Sequence, residues 1–270
     1  MNNIRFIYLG AFLLLIGISF SGCSESEPDK IQYTSFSLAD KTGNCDSVGV
    51  GCAEFQVSYP IITGTEHAGL QKSLQAAIDT FTLRDPFSEG NTFHTSLQAL
   101  RDSLFRDFNR VKLDIPDMPL NYFLQRIVTP VTDTLGLFSI RMSESSFFGG
   151  AHPNSFTDYR NISAADGTVI TLEKILKKDG MKKFLALAEN TFRKKMEVPE
   201  GENLEKAGFF FKDGVFVLSQ AYLFTIYGIE LLYNPYEAAA YAVGPISLKI
   251  PYEQWKDLIE PESVIGKLVK

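Results

Sequence analysis

Ser146-Phe147-Phe148-Gly149-Gly150-Ala151-His152-Pro153-Asn154 is where a β-rich run breaks into paired glycines, a histidine and a proline. Before it, residues 137–142 alternate apolar and polar side chains, the period of a half-buried strand, and Phe147-Phe148 carries an apolar edge into the glycines. Two consecutive glycines open backbone angles closed to other residues, so a bend or a bulge is expected. Pro153 pushes His152 out of the helical region and holds its imidazole on an extended segment. The stretch reads as a fixed, non-helical corner. A ring nitrogen on such a corner is a candidate binding residue, and the competing reading is a strained turn whose histidine bonds to backbone.

Outward from this corner the same logic assigns the rest of the chain. Residues 122–128 and 137–147 flank a turn at 132–136, and a further strand is expected over 156–162. Asp166-Gly167 turns into a short strand at 168–171, after which Thr171 caps a short helix ending near Lys178. Residues 181–196 form a helix with Phe184, Leu185, Ala188, Phe192 and Met196 inward. Its Arg193-Lys194-Lys195 run sits at the end that the helix dipole favours for cations. Lys212-Asp213-Gly214 is expected to join strands at 208–211 and 215–219. Strands at 222–227 and 229–233, a loop over 234–245, a strand at 246–250 and a closing helix at 252–259 complete that half.

On the N-terminal side, strands at 31–38 and 53–59 precede two amphipathic helices. The first begins at Thr65 or Glu66, carries Leu70, Leu74, Ala77, Ile78 and Phe81 on one stripe, and is broken by Asp85-Pro86. The second, 95–111, turns Leu97, Leu100, Leu104, Phe105, Phe108 and Val111 inward. Short strands punctuated by grouped helices imply an α+β fold, with largely antiparallel sheets covered by a few amphipathic helices. Asp114-Ile115-Pro116-Asp117-Met118-Pro119 is the natural connector between an N-terminal unit, 31–115, and a C-terminal unit, 120–262.

The first residues give the address. Arg5 followed by an apolar run at 6–18, too short to span a bilayer comfortably, reads as a secretory leader over 1–22. Its end, Phe20-Ser21-Gly22-Cys23, resembles the bacterial lipoprotein signal, which implies lipidation of Cys23 and a place in the cell envelope at the outer membrane. Residues 23–30 then form an acidic tether with nothing apolar to bury. Loss of Arg5 with the leader moves the net charge from −6 to −7, and Arg193-Lys194-Lys195 is the longest basic run, which argues against nucleic acid as a partner. With Cys23 acylated, Cys45 and Cys52 remain as a pair in an oxidising compartment, and a disulfide across that loop would contribute about 2.5 kcal/mol. Metal is the rival, yet a C-x6-C pair with no second pair is a poor zinc site. His67, His94 and His152 stand singly, so no metal and no cofactor is expected.

Several ordered motifs then point one way. Glu54-Phe55-Gln56-Val57-Ser58-Tyr59-Pro60-Ile61-Ile62 and the helix after it look like the start of a DUF4163 domain. Gly149-Gly150-Ala151-His152-Pro153-Asn154, Asp166-Gly167 with Thr171-Leu172, Leu232-Tyr233-Asn234-Pro235-Tyr236-Glu237 and residues 244–252 together resemble DUF3298. Similar domain pairs form the extracellular part of a lysozyme-sensing anti-sigma factor and the N-terminal region of peptidoglycan deacetylases. This chain has neither a second apolar span nor the Asp-Asp and His-x-x-x-His ligands of a deacetylase. The resemblance therefore implies a recognition module alone, tethered by lipid, with a lysozyme-like wall hydrolase or peptidoglycan as its partner.

The expected binding surface joins Phe147, Phe148, Gly149, Gly150, His152, Pro153 and Asn154 to the loop bearing Asn234, Pro235, Tyr236 and Tyr241, where tyrosines concentrate contact area with polar tips. Core burial competes for each of Tyr222, Tyr227, Tyr233, Tyr236, Tyr241 and Tyr252. The enzymatic alternative is a hydrolase acting on peptidoglycan or esters, with His152 as base, Asp158 as its orienter and Ser145, Ser146 or Ser155 as nucleophile, or with Glu144 and Glu237 as a glycosidase pair. Against it stands the absence of any G-x-S-x-G elbow.

Overall fold

The computed structural model describes residues 31–45, 51–65, 68–88 and 92–270; the leader, Cys23, the tether and His67 lie outside them. Among the described residues the chain runs β1 (Gln32–Gly43), β2 (Cys52–Gly64), α1 (Ala68–Thr82), α2 (Leu97–Asp114), β3 (Asn121–Thr134), β4 (Leu137–Phe147), β5 (Asn154–Ser163), α3 (Leu172–Ile175), α4 (Gly180–Lys195), β6 (Ala221–Phe224), β7 (Gly228–Tyr233), β8 (Ile246–Pro251) and α5 (Val264–Leu268). Strands β1 to β5 form one sheet in chain order, and β6 to β8 form a second. The fold is α+β, and the one parallel pair among the described residues is β2 with β3. That pair spans the crossover through α1 and α2, the length of connection a parallel pair requires.

Both helices lie on one face of the large sheet because its inward positions alternate. Leu70, Leu74, Ile78 and Phe81 of α1 pack on Val128, Phe138, Ile140, Met142 and Ile162. Leu97, Leu100, Leu104 and Phe108 of α2 pack on Phe55, Val57, Tyr122 and Leu124. Ser96 caps α2 by accepting from the Ala99 amide at 3.1 Å. A third core lies in the C-terminal lobe, where Phe184, Ala188 and Phe192 of α4 cover Ile229, Leu231, Tyr233, Ile246, Leu248 and Ile250. The lobe is tied to the sheet by Asn161, a buried residue of β5. Its amide donates to Tyr222 O at 2.9 Å, and its carbonyl accepts from Phe224 N at 3.0 Å and Ser139 Oγ at 2.9 Å.

The register gives the sheet two distinct ends. Gln32 pairs with Gly64, Thr134 with Leu137, and Leu137 with Ser163, so these residues share one end. Gly43, Cys52, Asn121, Phe147 and Asn154 share the other. At the first end Leu135 and Gly136, both at positive φ, close β3 onto β4 in two residues. At the second, Cys45 and Cys52 are joined by the expected disulfide, Cα to Cα 5.1 Å.

Several elements differ from their sequence reading, each for a packing reason. The Asp114–Pro119 connector leads from α2 into β3, which pairs with β2, so the large sheet takes strands from both sides of it. Strand β2 runs through Pro60, which lies beyond Ser58, the last residue paired with β3; a residue without an N–H is tolerated where one side of a strand is open. The hairpin expected around 212–214 is a single 3-10 turn without flanking strands. Phe209, Phe211 and Phe216, on either side of this turn, serve ring packing on Phe192 instead of a ladder, at 5.0, 5.2 and 5.6 Å between centroids. The strand expected at 168–171 reduces to one bridge, Ile162 with Val169. The closing helix becomes two 3-10 turns, 252–254 and 256–258, separated at Trp255. There φ is −147°, turning the fully buried indole onto Phe184 at 4.7 Å.

Candidate functional site

The corner is the tip of the β4–β5 hairpin. Ser146 pairs with Asn154, and the six residues between Phe147 and Asn154 make the link. Gly149 and Gly150 take φ of +90° and +109°, conformations that side chains rarely adopt, and this aims the rest of the link back toward the C-terminal lobe. Phe148 anchors the tip from the helix side, 4.6 Å from the ring of Phe87 and 5.7 Å from Tyr122, while Phe147 stacks beside its ladder partner Phe123.

The second loop is built by Asn234. Its amide reads strand β5 as another backbone would, accepting from Thr157 N at 2.7 Å and donating to Thr157 O at 2.9 Å. Glu237 closes the turn by accepting from the Asn234 amide groups at 2.8 and 3.1 Å. Within that turn Tyr236 is held at φ +71°, a strained state for a side chain of its size that persists because the surrounding bonds fix it. Asn234→Ala is expected to lower stability by about 2 kcal/mol, since Thr157 loses two partners at once. Thermal melts of wild type and variant check this, and equal midpoints would remove the clamp.

These two loops, some eighty residues apart, meet. His152 Nε2 lies 3.1 Å from the Tyr236 hydroxyl, and the imidazole stacks on Tyr241 at 4.2 Å and 28°. Tyr236 and Tyr241 are themselves 5.6 Å apart. Of the six candidate tyrosines, Tyr233 and Tyr252 are core residues and Tyr222 is half-buried, while Tyr236 (54% exposed) and Tyr241 (39%) present their rings to solvent. Tyr227 is exposed too, but on the β6–β7 turn, away from the stack. Burial raises the phenol pKa of both Tyr233 and Tyr252. Beside the stack, Glu144, Ser146, Phe148, His152, Asn154 and Pro86 line a cavity of about 200 Å³.

Proton chemistry at His152 follows from its neighbours. Nδ1 faces the Pro153 carbonyl at 3.0 Å, and a carbonyl only accepts, so Nδ1 carries the proton. In the neutral ring Nε2 then accepts from the Tyr236 hydroxyl, and both nitrogens are engaged. The suggested partner Asp158 is held elsewhere, by Arg84 at 3.2 Å and by Tyr159 N at 2.8 Å, so the His152–Asp158 dyad does not form. Ser145 and Ser155 face each other in the β4–β5 ladder, and Ser146 is buried. Glu144 is bound to Arg126 and Glu237 to Asn234, so each carboxylate is committed to a structural partner. The Cys45 and Cys52 sulfurs lie close to Glu54, but their disulfide removes the thiolates a metal needs. His94 sits 3.3 Å from Asp85, apart from His152 in the stack.

Desolvation lifts the Asp158 carboxyl above its ordinary 3.8, and Tyr159 N, Arg84 and Arg160 offset this only in part. The folded state therefore holds this proton more tightly than the unfolded chain, and its contribution to stability falls as pH rises from about 4 through the raised value. Asp158→Asn removes that slope. Urea unfolding at pH 4 and pH 7 should show the variant gaining on wild type at the higher pH; parallel behaviour would contradict the shift.

Sequence reading missed the charged seam under the site. Arg126 is fully buried, with Nε and Nη2 2.7 and 2.6 Å from Glu144 Oε2. A signal was present, because Arg126 falls in the inward phase set by Tyr122, Leu124 and Val128. Arg84, over the Phe156 ring at 4.6 Å, is brought there by the link after α1 and has no periodic signal.

Residues 173–253 match the family model described as a protein of unknown function, DUF3298. No curated protein matches the sequence. A member of the DUF3298 family from Bacteroides fragilis superposes with a TM-score of 0.70 at 17% identity, covering 90% of this chain and 99% of that one. A DUF3298 family protein from Pseudomonas aeruginosa superposes at 0.60 with 19% identity, covering 85% of this chain and 95% of its own. Residues 173–253 thus match the DUF3298 model, within a fold that two solved DUF3298 proteins share over nearly their whole length.

Proposed function

We propose that this protein is a lipid-anchored recognition module of the cell envelope that binds a lysozyme-type wall hydrolase through the face formed by His152, Tyr236 and Tyr241. The observation that carries this reading is the convergence of two distant loops into one exposed aromatic stack, held in place by buried polar clamps. Rigid, half-exposed aromatic rings are what protein interfaces use as anchors. The net charge of −7 that remains once the leader is removed suits a cationic partner by steering its approach. Phe210 and Val243, both more than half exposed, flank the same loop, with Phe210 N bonded to Ala238 O at 2.9 Å, and extend the apolar area toward what a protein partner covers. An activity resting on His152 as base is disfavoured because both ring nitrogens are engaged. The anchor at Cys23 rests on the Phe20-Ser21-Gly22-Cys23 motif, and the envelope address on that anchor.

Titration calorimetry of residues 24–270 with a c-type lysozyme tests the reading. Saturable one-site binding is expected, weakened about 30-fold by Tyr236→Ala or His152→Ala, the size of an interface anchor worth about 2 kcal/mol. Unchanged affinity in both variants would move the interface elsewhere. Heat with peptidoglycan fragments but none with lysozyme would make the polymer the ligand instead.

A further inference from the structure

The two ends of the large sheet differ in what they expose. The described chain enters at Ile31, beside Gln32 and Gly64, and so at the end opposite the β4–β5 tip. That entry end also carries two tight hairpin turns. Leu135 on the β3–β4 turn is 58% exposed, and Ile226 and Tyr227 on the β6–β7 turn are 52% and 77% exposed. Neither turn is loose. Thr225 Oγ1 accepts from both Tyr227 N and Gly228 N at 3.1 Å, and Ala164 N binds Gly136 O at 2.8 Å, so the apolar side chains are presented outward by fixed backbone. Between the turns runs a mainly apolar groove of about 510 Å³, lined by Val131, Leu223, Ile226, Tyr227 and Ile250, with Asp133, Glu230 and Lys249 also on its lining.

The geometry points to a lipid bilayer surface as the occupant of this end, and we infer that Leu135, Ile226 and Tyr227 rest in the headgroup layer with the groove open to acyl chains. The inference rests on the reading that Cys23 bears the anchor. Eight residues, 23–30, then separate the lipid from the fold, and fully extended they reach about 28 Å. The entry end is therefore confined near the membrane, whereas the 11-residue β4 places the His152 tip about 35 Å further out. A tyrosine flanked by aliphatic side chains on rigid tips suits the boundary between headgroups and hydrocarbon. With a net charge of −7 once the leader is removed, anionic lipid offers no attraction, so the contact rests on apolar side chains and keeps its strength as salt rises.

The test uses residues 23–270 coupled through the Cys23 thiol to a maleimide lipid in phosphatidylcholine vesicles, with Cys45 and Cys52 kept as their disulfide. Tyr227→Trp and Tyr236→Trp are compared against the same buried Trp255 background. Trp at 227 is expected to shift to the blue and lose emission when the vesicles carry brominated acyl chains, at low and high salt alike, while Trp at 236 is unaffected. Equal quenching of both, or of neither, would overturn the proposal. Chemical coupling makes that outcome independent of processing in the cell, which mass spectrometry of the cell-derived protein reads separately. Finding Cys23 unacylated there would overturn the anchor, and with it the reason for this contact.

Discussion

Replacing Arg126 with alanine is expected to destabilise the fold by about 3–5 kcal/mol, a large share of what a domain of this size has in reserve. Arg126 is the only fully buried cation among the described residues, and four acceptor contacts converge on its guanidinium. Two are to Glu144; the others run from Nη1 to the carbonyls of Thr82 and Arg84 at 2.5 and 2.9 Å. Those carbonyls belong to the end of α1 and the link after it, where helix groups lack intrahelical donors and carry partial negative charge. Alanine leaves an ionised Glu144 in an apolar seam and strips both carbonyls of their partner. Arg126→Met combined with Glu144→Leu should recover much of the loss, because no unpaired charge then remains. Arg126→Lys should recover little, since one ammonium cannot reproduce the planar fork. Urea unfolding of the four proteins decides the matter, and a loss under about 1 kcal/mol for Arg126→Ala would contradict the pairing.

Phe192→Ala is expected to cost a similar amount, about 3–5 kcal/mol, but to act on another part of the molecule. Phe192 is the hub of the lobe, with Phe209, Phe211, Phe216 and Tyr233 around its ring at 5.0 to 5.8 Å. Three of those four lie in a segment without a strand ladder, so ring packing does there what hydrogen-bonded pairing does elsewhere. Limited proteolysis should accordingly cut the variant between 205 and 219 well before the large sheet opens. Tyr233 immediately precedes the Asn234 clamp, so the same change is expected to weaken the proposed lysozyme binding without touching the exposed rings. Phe192→Leu should retain most of the stability. Proteolysis indifferent to the substitution would show that the segment is ordered by something other than this cluster.

Where local pattern and final environment agreed, the fold was legible. The alternation at 137–142 and 53–59 places Phe138, Ile140, Phe55 and Val57 on the helix-covered face, where they are found. The stripe from Leu70 to Phe81 packs on that sheet as its spacing implies. Sequence failed where tertiary packing took over a local signal. Phenylalanines on both sides of the Lys212-Asp213-Gly214 turn suggest a hairpin yet answer to one ring in α4, and the helical pattern at 252–259 breaks at Trp255, whose indole is buried. The candidate site divides in the same way. Its two loops were identifiable from glycine, proline and tyrosine chemistry, but their meeting depends on the Asn234 clamp to Thr157, a contact across 77 positions that no periodicity encodes.

Strand β1 has a mechanical consequence. All but two of its residues are exposed, and the ladder to β2, which runs its whole length, is its main hold on the sheet. A pull on the chain before Ile31 enters that ladder at Gln32, its first pair, and runs along the strand axis, so the β1–β2 hydrogen bonds carry the load in shear. The travel is finite, because Gly43 is followed within two residues by Cys45, whose bond to Cys52 passes the load to the central strands. Strand β1, with its covalent stop, therefore takes strain applied from the N-terminal side first, while β4, β5 and the stack at their far end keep their geometry.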